Sequence, residues 1–167
     1  HSDALLTSIA FTYGFLWDAR TGRDLLTIPN AHIVAASPRG GLLAGTSGYV
    51  SSDNAATAAI WDAARGGRRL TQAVHEDKPS KCERAAFAPG GGTVAMVVQN
   101  TPNGGHDTTW SVEVWSGASG ERLCSSDVTG AEYLFAVPVR RLVFDGDTVA
   151  VCRGSHWPSF VFRLRSP

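Results

Sequence analysis

The stretch Ala59-Ile60-Trp61-Asp62 decides the fold, because versions of it recur along the chain at wide, similar intervals. Phe15-Leu16-Trp17-Asp18 stands upstream. Glu113-Val114-Trp115-Ser116 stands downstream, and Val161-Phe162-Arg163-Leu164 follows with the tryptophan lost. Their third positions are separated by 44, 54 and 48 residues. Each of the first three copies leads into a Gly-bearing turn and a second short apolar run: Arg20-Thr21-Gly22 before Leu25-Leu26, Arg65-Gly66-Gly67 before Leu70, and Ala118-Ser119-Gly120 before Leu123. A repeat of roughly 40 to 50 residues made of short strands marks a stack of small sheets.

Working outward from these copies, the chain reads as about fourteen strands. Ala4 to Phe11, Tyr13 to Asp18 and Asp24 to Ile28 make a first unit without an obvious opening strand. The second unit opens with Ile33 to Ala36, turns at Pro38-Arg39-Gly40-Gly41, returns through Leu42 to Thr46, and continues with Ala58 to Asp62 and Arg68 to Ala73. The third repeats this order. Arg84 to Ala88 precedes the turn Pro89-Gly90-Gly91-Gly92, then Thr93 to Val98, Trp110 to Trp115 and Glu121 to Ser125. The fourth gives Arg141 to Phe144, Thr148 to Cys152 and Phe160 to Leu164. Proline and glycine at equivalent turns and short apolar runs between them are hairpin signals. The predicted fold is all-β: β-propeller blades of four-stranded antiparallel sheets, in a ring that is incomplete or completed by oligomerisation. One domain over 1–167 is expected, with units at about 4–28, 32–73, 84–127 and 139–165.

These units resemble WD-repeat β-propeller blades. The residues that carry the resemblance are Trp17-Asp18, Trp61-Asp62, the Gly turns after them, and Phe87-Ala88-Pro89-Gly90 before a Val-rich strand. The family's Gly-His dipeptide before the first strand is absent, although His32 and His75 lie near that place. The resemblance implies about three and a half divergent blades, whereas closed propellers typically have about four to eight. Three completions are open: further blades outside this chain, a second copy of the chain, or pairing of the termini in a compact four-bladed ring.

Composition narrows the function. Lys plus Arg and Asp plus Glu number 15 each among 167 residues, so no net field draws nucleic acid or an anionic membrane surface. No apolar run reaches the roughly 18 residues needed to span a bilayer. His1-Ser2-Asp3 shows no signal-peptide pattern and no initiating Met, which reads as a processed or excised chain. Cys82, Cys124 and Cys152 are odd in number and form no CxxC pair, so neither a zinc site nor a redox motif is expected, and a reducing, cytoplasmic setting fits. The sequence has no nucleophile elbow, no phosphate-binding glycine loop and no HExxH, so no enzyme activity and no cofactor are expected.

Loops on a rigid scaffold carry recognition. If the strands of a unit are lettered a to d, the a–b and c–d turns share one end of the blade and are short. The b–c and d–a connections share the other end and vary in length. Tyr49, Asp53, His106, Asp107, Trp110, His156 and Trp157 fall there and are the candidate partner-binding residues. Trp110 and Trp157 could equally cover the blade core, and Tyr49 could pack or cap. His106-Asp107 and His156 fall short of the three or four ligands a metal needs. Trp17, Trp61 and Trp115 are expected to pack between neighbouring blades. The leading expectation is a scaffold for a protein or peptide partner. A carbohydrate- or small-ligand-binding propeller, or a regulatory segment of a multidomain enzyme, are the alternatives.

Overall fold

A computed structural model describes residues 4–9, 13–48, 56–70, 80–101, 109–127, 141–146, 148–152 and 160–163. Fourteen strands lie among them. The first sheet holds β1 (Ala4–Ile9), β2 (Tyr13–Asp18) and β3 (Asp24–Pro29). The second holds β4 (Ala31–Ala36), β5 (Leu42–Ser47), β6 (Thr57–Asp62) and β7 (Arg68–Arg69), with a 3-10 turn at Ala63–Arg65. The third holds β8 (Ser80–Phe87), β9 (Thr93–Asn100), β10 (Thr109–Ser116) and β11 (Arg122–Asp127). The fourth holds β12 (Arg141–Asp145), β13 (Thr148–Cys152) and β14 (Phe160–Arg163). Every pairing is antiparallel between strands consecutive in sequence. The chain is therefore all-β, built of meandering antiparallel sheets of the propeller-blade kind.

The tryptophan copies align the sheets: Trp17, Trp61 and Trp115 lie in β2, β6 and β10, the c strands. The first sheet thus holds b, c and d, and the fourth holds a, b and c. Side chains alternate across each strand, so a blade with a neighbour on both sides feeds two cores. Ala59 and Trp61 join Ile28, Ala31, Ile33 and Leu43 between the first and second sheets. Ala58 and Ile60, on the opposite side of β6, join Cys82, Val94, Met96, Val98 and Trp115 between the second and third. Ala95, Val97, Val112 and Val114 meet Leu142, Val149 and Val151 between the third and fourth. Among the described residues no strand of the first sheet packs broadly on the fourth, and the ring is not closed.

The residue after each tryptophan explains why the c–d turn forms there. Asp18 Oδ1 accepts from the backbone N–H groups of Arg20 (2.9 Å) and Thr21 (3.0 Å), and Asp62 Oδ1 accepts from Arg65 N (3.1 Å). Ser116 Oγ accepts from Ser119 N at 3.2 Å. Gly22, Gly66 and Gly120 then take left-handed φ angles of 68°, 68° and 71°, which glycine adopts without strain. A bulge follows in two of the d strands. Trp17 faces Asp24 while Leu16 faces Leu26, and Trp115 faces Arg122 while Val114 faces Cys124. The extra residues are Leu25 and Leu123, which are 55% and 56% exposed.

Candidate functional site

The strands set two unlike ends. At one end the a–b turns span 37–41 and 88–92, and the c–d turns span 19–23, 63–67 and 117–121. These are closed by backbone hydrogen bonds such as Ser37 N to Leu42 O and Ala88 N to Thr93 O, both 2.9 Å. At the other end the connections span 48–56, 70–79, 101–108, 128–140 and 153–159. Asn30, the single residue between β3 and β4, is the short exception, and it alone among non-glycine residues has a positive φ, 52°, among the described residues.

Of the predicted partner-binding residues, Tyr49, Asp53, His106, Asp107, His156 and Trp157 lie outside the described residues. Trp110 is described. It pairs with Gln99 near the start of β10 and packs, partly buried, against the Val-rich core between the third and fourth sheets. Its indole N–H is buried and finds no hydrogen-bond partner among the described residues. Trp110 therefore combines a packed ring with an unused donor at the end where the longer connections arise. Of the tryptophans named as packing residues, Trp61 and Trp115 are 2% and 1% exposed, and Trp17 is half-buried.

A polar string that sequence reasoning missed runs through the third blade. Glu113 is wholly buried in mid-β10 on the same side of the strand as Trp115. Its carboxylate accepts from Trp115 Nε1 (3.1 Å) and Ser111 Oγ (3.4 Å), and it pairs with Arg122 Nη1 across β11 at 3.3 Å. Asn100 Nδ2 donates to Ser111 Oγ at 3.4 Å, carrying the string to the connection end. Strict alternation in Ser111-Val112-Glu113-Val114-Trp115 was the available signal: it puts Glu113 beside a core tryptophan, where a carboxylate needs a cation and donors. In the second blade Arg69 fills the place of Arg122, opposite the tryptophan, and its Nη2 donates to Thr57 Oγ1 at 2.7 Å.

Polar contacts also join the second and third blades. Thr46 Oγ1 accepts from Cys82 N (2.9 Å) and Ser80 Oγ accepts from Ala58 N (3.2 Å). Beside them on β4 stands His32, half-buried; burial lowers its pKa most, Lys81 and Arg84 lower it further, and Glu83 opposes them. Glu83 pairs with Lys81 at 2.6 Å. Burial pushes the Cys82 thiol far up, so it stays protonated and unreactive. No group of three or more His, Cys, Asp or Glu side chains could hold a metal ion among the described residues. No activated nucleophile with its base occurs among the described side chains.

No family model matches the chain, and no curated protein matches it. Among the solved structures similar to it are the following two. A crystal structure of the eukaryotic initiation factor matches at 18% identity over 74% of this chain and 28% of its own, with a TM-score of 0.45. A crystal structure of Saccharomyces cerevisiae Sqt1 matches at 12% identity over 98% of this chain and 55% of its own, with a TM-score of 0.42. The chain thus spans between about a quarter and a little over half of the length of these two structures.

Proposed function

We propose that this chain is a non-enzymatic interaction module of divergent WD-repeat type, and that the b–c and d–a end of its blades receives a protein or peptide partner. The observation that carries the reading is the division of the sheets into an end of short, capped turns and an end of longer, variable connections. Trp110, with its indole N–H unused among the described residues, stands at that second end. Tyr49, Asp53, His106, Asp107, His156 and Trp157 belong to the same set by sequence position. A partly buried aromatic with a polar handle has the composition of an interface hot spot. The setting proposed is the cytoplasm, consistent with Cys82, Cys124 and Cys152 all being free thiols. No helix among the described residues is long and apolar enough to cross a membrane.

The test selects binders from a random peptide library on the immobilised chain, then measures their affinity for two variants. Alanine at Tyr49, His106, Trp110 and Trp157 together is expected to abolish binding with the circular dichroism spectrum unchanged. Alanine at Arg39 and Arg65, at the turn end, is expected to leave it intact. Retained binding in the first variant contradicts the assigned face. A millimolar or tighter response to a glycan panel, with no peptide selected, replaces this reading with the ligand-binding one.

A further inference from the structure

Two neighbouring rungs of the b–c ladder recur in all four sheets. The first pairs Leu5 with Trp17, Leu43 with Trp61, Val94 with Trp115 and Val149 with Phe162. The second, one residue along, pairs Leu6 with Leu16, Ala44 with Ile60, Ala95 with Val114 and Ala150 with Val161. Because side chains alternate along a strand, the two rungs serve opposite sides of their sheet.

Inside the chain the two kinds of rung meet each other. Leu43 and Trp61 of the second sheet share a core with Leu16 and Ile28 of the first. Val94 and Trp115 of the third share one with Ala44 and Ile60 of the second, and Val149 of the fourth shares one with Ala95 and Val114 of the third. Each interface therefore sets the first rung of one sheet on the second rung of the sheet before it. The series begins with a first rung on the first sheet and ends with a second rung on the fourth, and among the described residues these two sheets do not pack broadly on each other. Val161 is accordingly 68% exposed, where its counterparts Ile60 and Val114 are 0% and 2%. With Ala150 and Val143 it makes an apolar row across the three strands of the fourth sheet, flanked along β12 by exposed Arg141 and Asp145. On the first sheet, the side of β2 that bears Trp17 also bears Phe15 and Tyr13, and Tyr13 is 44% exposed.

We propose that these two faces join between copies of the chain. The side of the first sheet that bears Tyr13, Phe15 and Trp17 packs on the Val143–Ala150–Val161 row of a second copy, and the reciprocal contact forms at the same time. The occupant is a second copy because each chain carries both halves of an interface whose pattern it already uses three times internally. Such a contact is heterologous, and two copies close it into a ring with twofold symmetry. Two copies of four sheets give eight, within the range of about four to eight blades in closed propellers. An apolar row with charged residues at its margins has the core-and-rim make-up of a specific interface. The proposal concerns the two end faces and is independent of the partner-binding end.

Sedimentation equilibrium of the 167-residue chain tests this. Wild type is expected to pass from monomer to dimer as concentration rises and to go no further. V161E and Y13E each put a carboxylate into the contact and are expected to weaken dimerisation at least about tenfold. Both positions are exposed in the single chain, and circular dichroism with thermal melts identifies any variant that fails to fold. L123E, at a likewise exposed leucine outside both faces, is expected to dimerise as wild type does. V161E keeps its first-sheet face and Y13E its fourth-sheet face, so an equimolar mixture regains one of the two contacts and is expected to associate more tightly than either variant alone. A wild-type monomer at every concentration overturns the proposal, as does growth beyond the dimer. Loss of dimer in Y13E with V161E unaffected also overturns it, since that marks first sheet packing on first sheet. If one of the two variants fails to fold, undiminished dimerisation of the other overturns the proposal by itself.

Discussion

Glu113 shows how one residue fixes the interior of a blade. A carboxylate with no exposed surface is tolerated because Arg122, Trp115 and Ser111 all direct donors at it. E113A strands an indole N–H and a guanidinium, and is expected to cost about 2–4 kcal/mol in urea unfolding, toward the lower figure because Arg122 can rehydrate. E113Q keeps the shape and one acceptor and is expected to lose about half as much. An unchanged midpoint in E113A means the string carries no stability. His32 gives a pH dependence of definite sign. Its pKa is lowered from 6.5 by burial first, then by Lys81 and Arg84, so the unfolded chain binds the proton more tightly. Stability from this group is complete above the unfolded value and is lost as pH falls through it toward the folded value. Between about pH 7.5 and about pH 5.5 the urea midpoint is expected to fall in wild type and to fall less in H32N, the difference isolating His32 from the other four histidines. Gly45 explains itself only in three dimensions: a Cβ there would run into the His32 carbonyl oxygen, which the β4 bulge brings across the strand.

At the level of elements, the repeated c strand and its turn were legible because their causes are local. The Trp-Asp pair places a core residue on one side and a turn cap directly after it, and both show in the letters Trp61-Asp62 as they do in Trp17-Asp18. Strand lengths were less legible. β8 begins at Ser80, four residues before the predicted Arg84, because Ser80 and Cys82 are buried by the second sheet and by contacts from Ala58 and Thr46, none of them near in sequence. β4 likewise begins at Ala31, ahead of the predicted Ile33. The strand expected over Arg68 to Ala73 is described only as Arg68–Arg69; the remainder of that prediction, beyond Leu70, lies outside the described residues. The tryptophans of the c strands are not equal. Trp61 meets the first sheet and Trp115 the second, while Trp17 lies with Tyr13 and Phe15 on the side of β2 opposite Leu16, in a row with ring centroids 6.0 and 5.6 Å apart. W61A and W115A are expected to cost about 3–5 kcal/mol each in unfolding free energy. W17A should cost clearly less, since Trp17 is only partly buried. Equal losses at all three positions would mean that burial between sheets is not what the tryptophans contribute.

For the whole molecule, the strand counts three, four, four and three matter more than the total of fourteen. A stack in which each sheet touches only its neighbours gains stability from nearest-neighbour interfaces. The second and third sheets each have two such interfaces among the described residues, and the first and fourth have one. The sequence predicted this shortfall, since the repeats ran out before a ring was complete, but the completion itself depends on surfaces that no local pattern encodes. Hydrogen exchange on the 167-residue chain distinguishes the cases. With one-sided end sheets, amides of β5, β6, β9 and β10 exchange slowest, through global unfolding, while β2 and β13 open earlier in separate cooperative units. The gap between the two classes then equals the stability of one inter-sheet interface, and it should close at high protein concentration if a second copy packs on the side of the first sheet that bears Trp17. Uniform protection across all four sheets at every concentration would instead require the first and fourth sheets to be joined within one chain. The open stack would then be wrong, while the register of its blades, fixed by Trp17, Trp61 and Trp115, would stand.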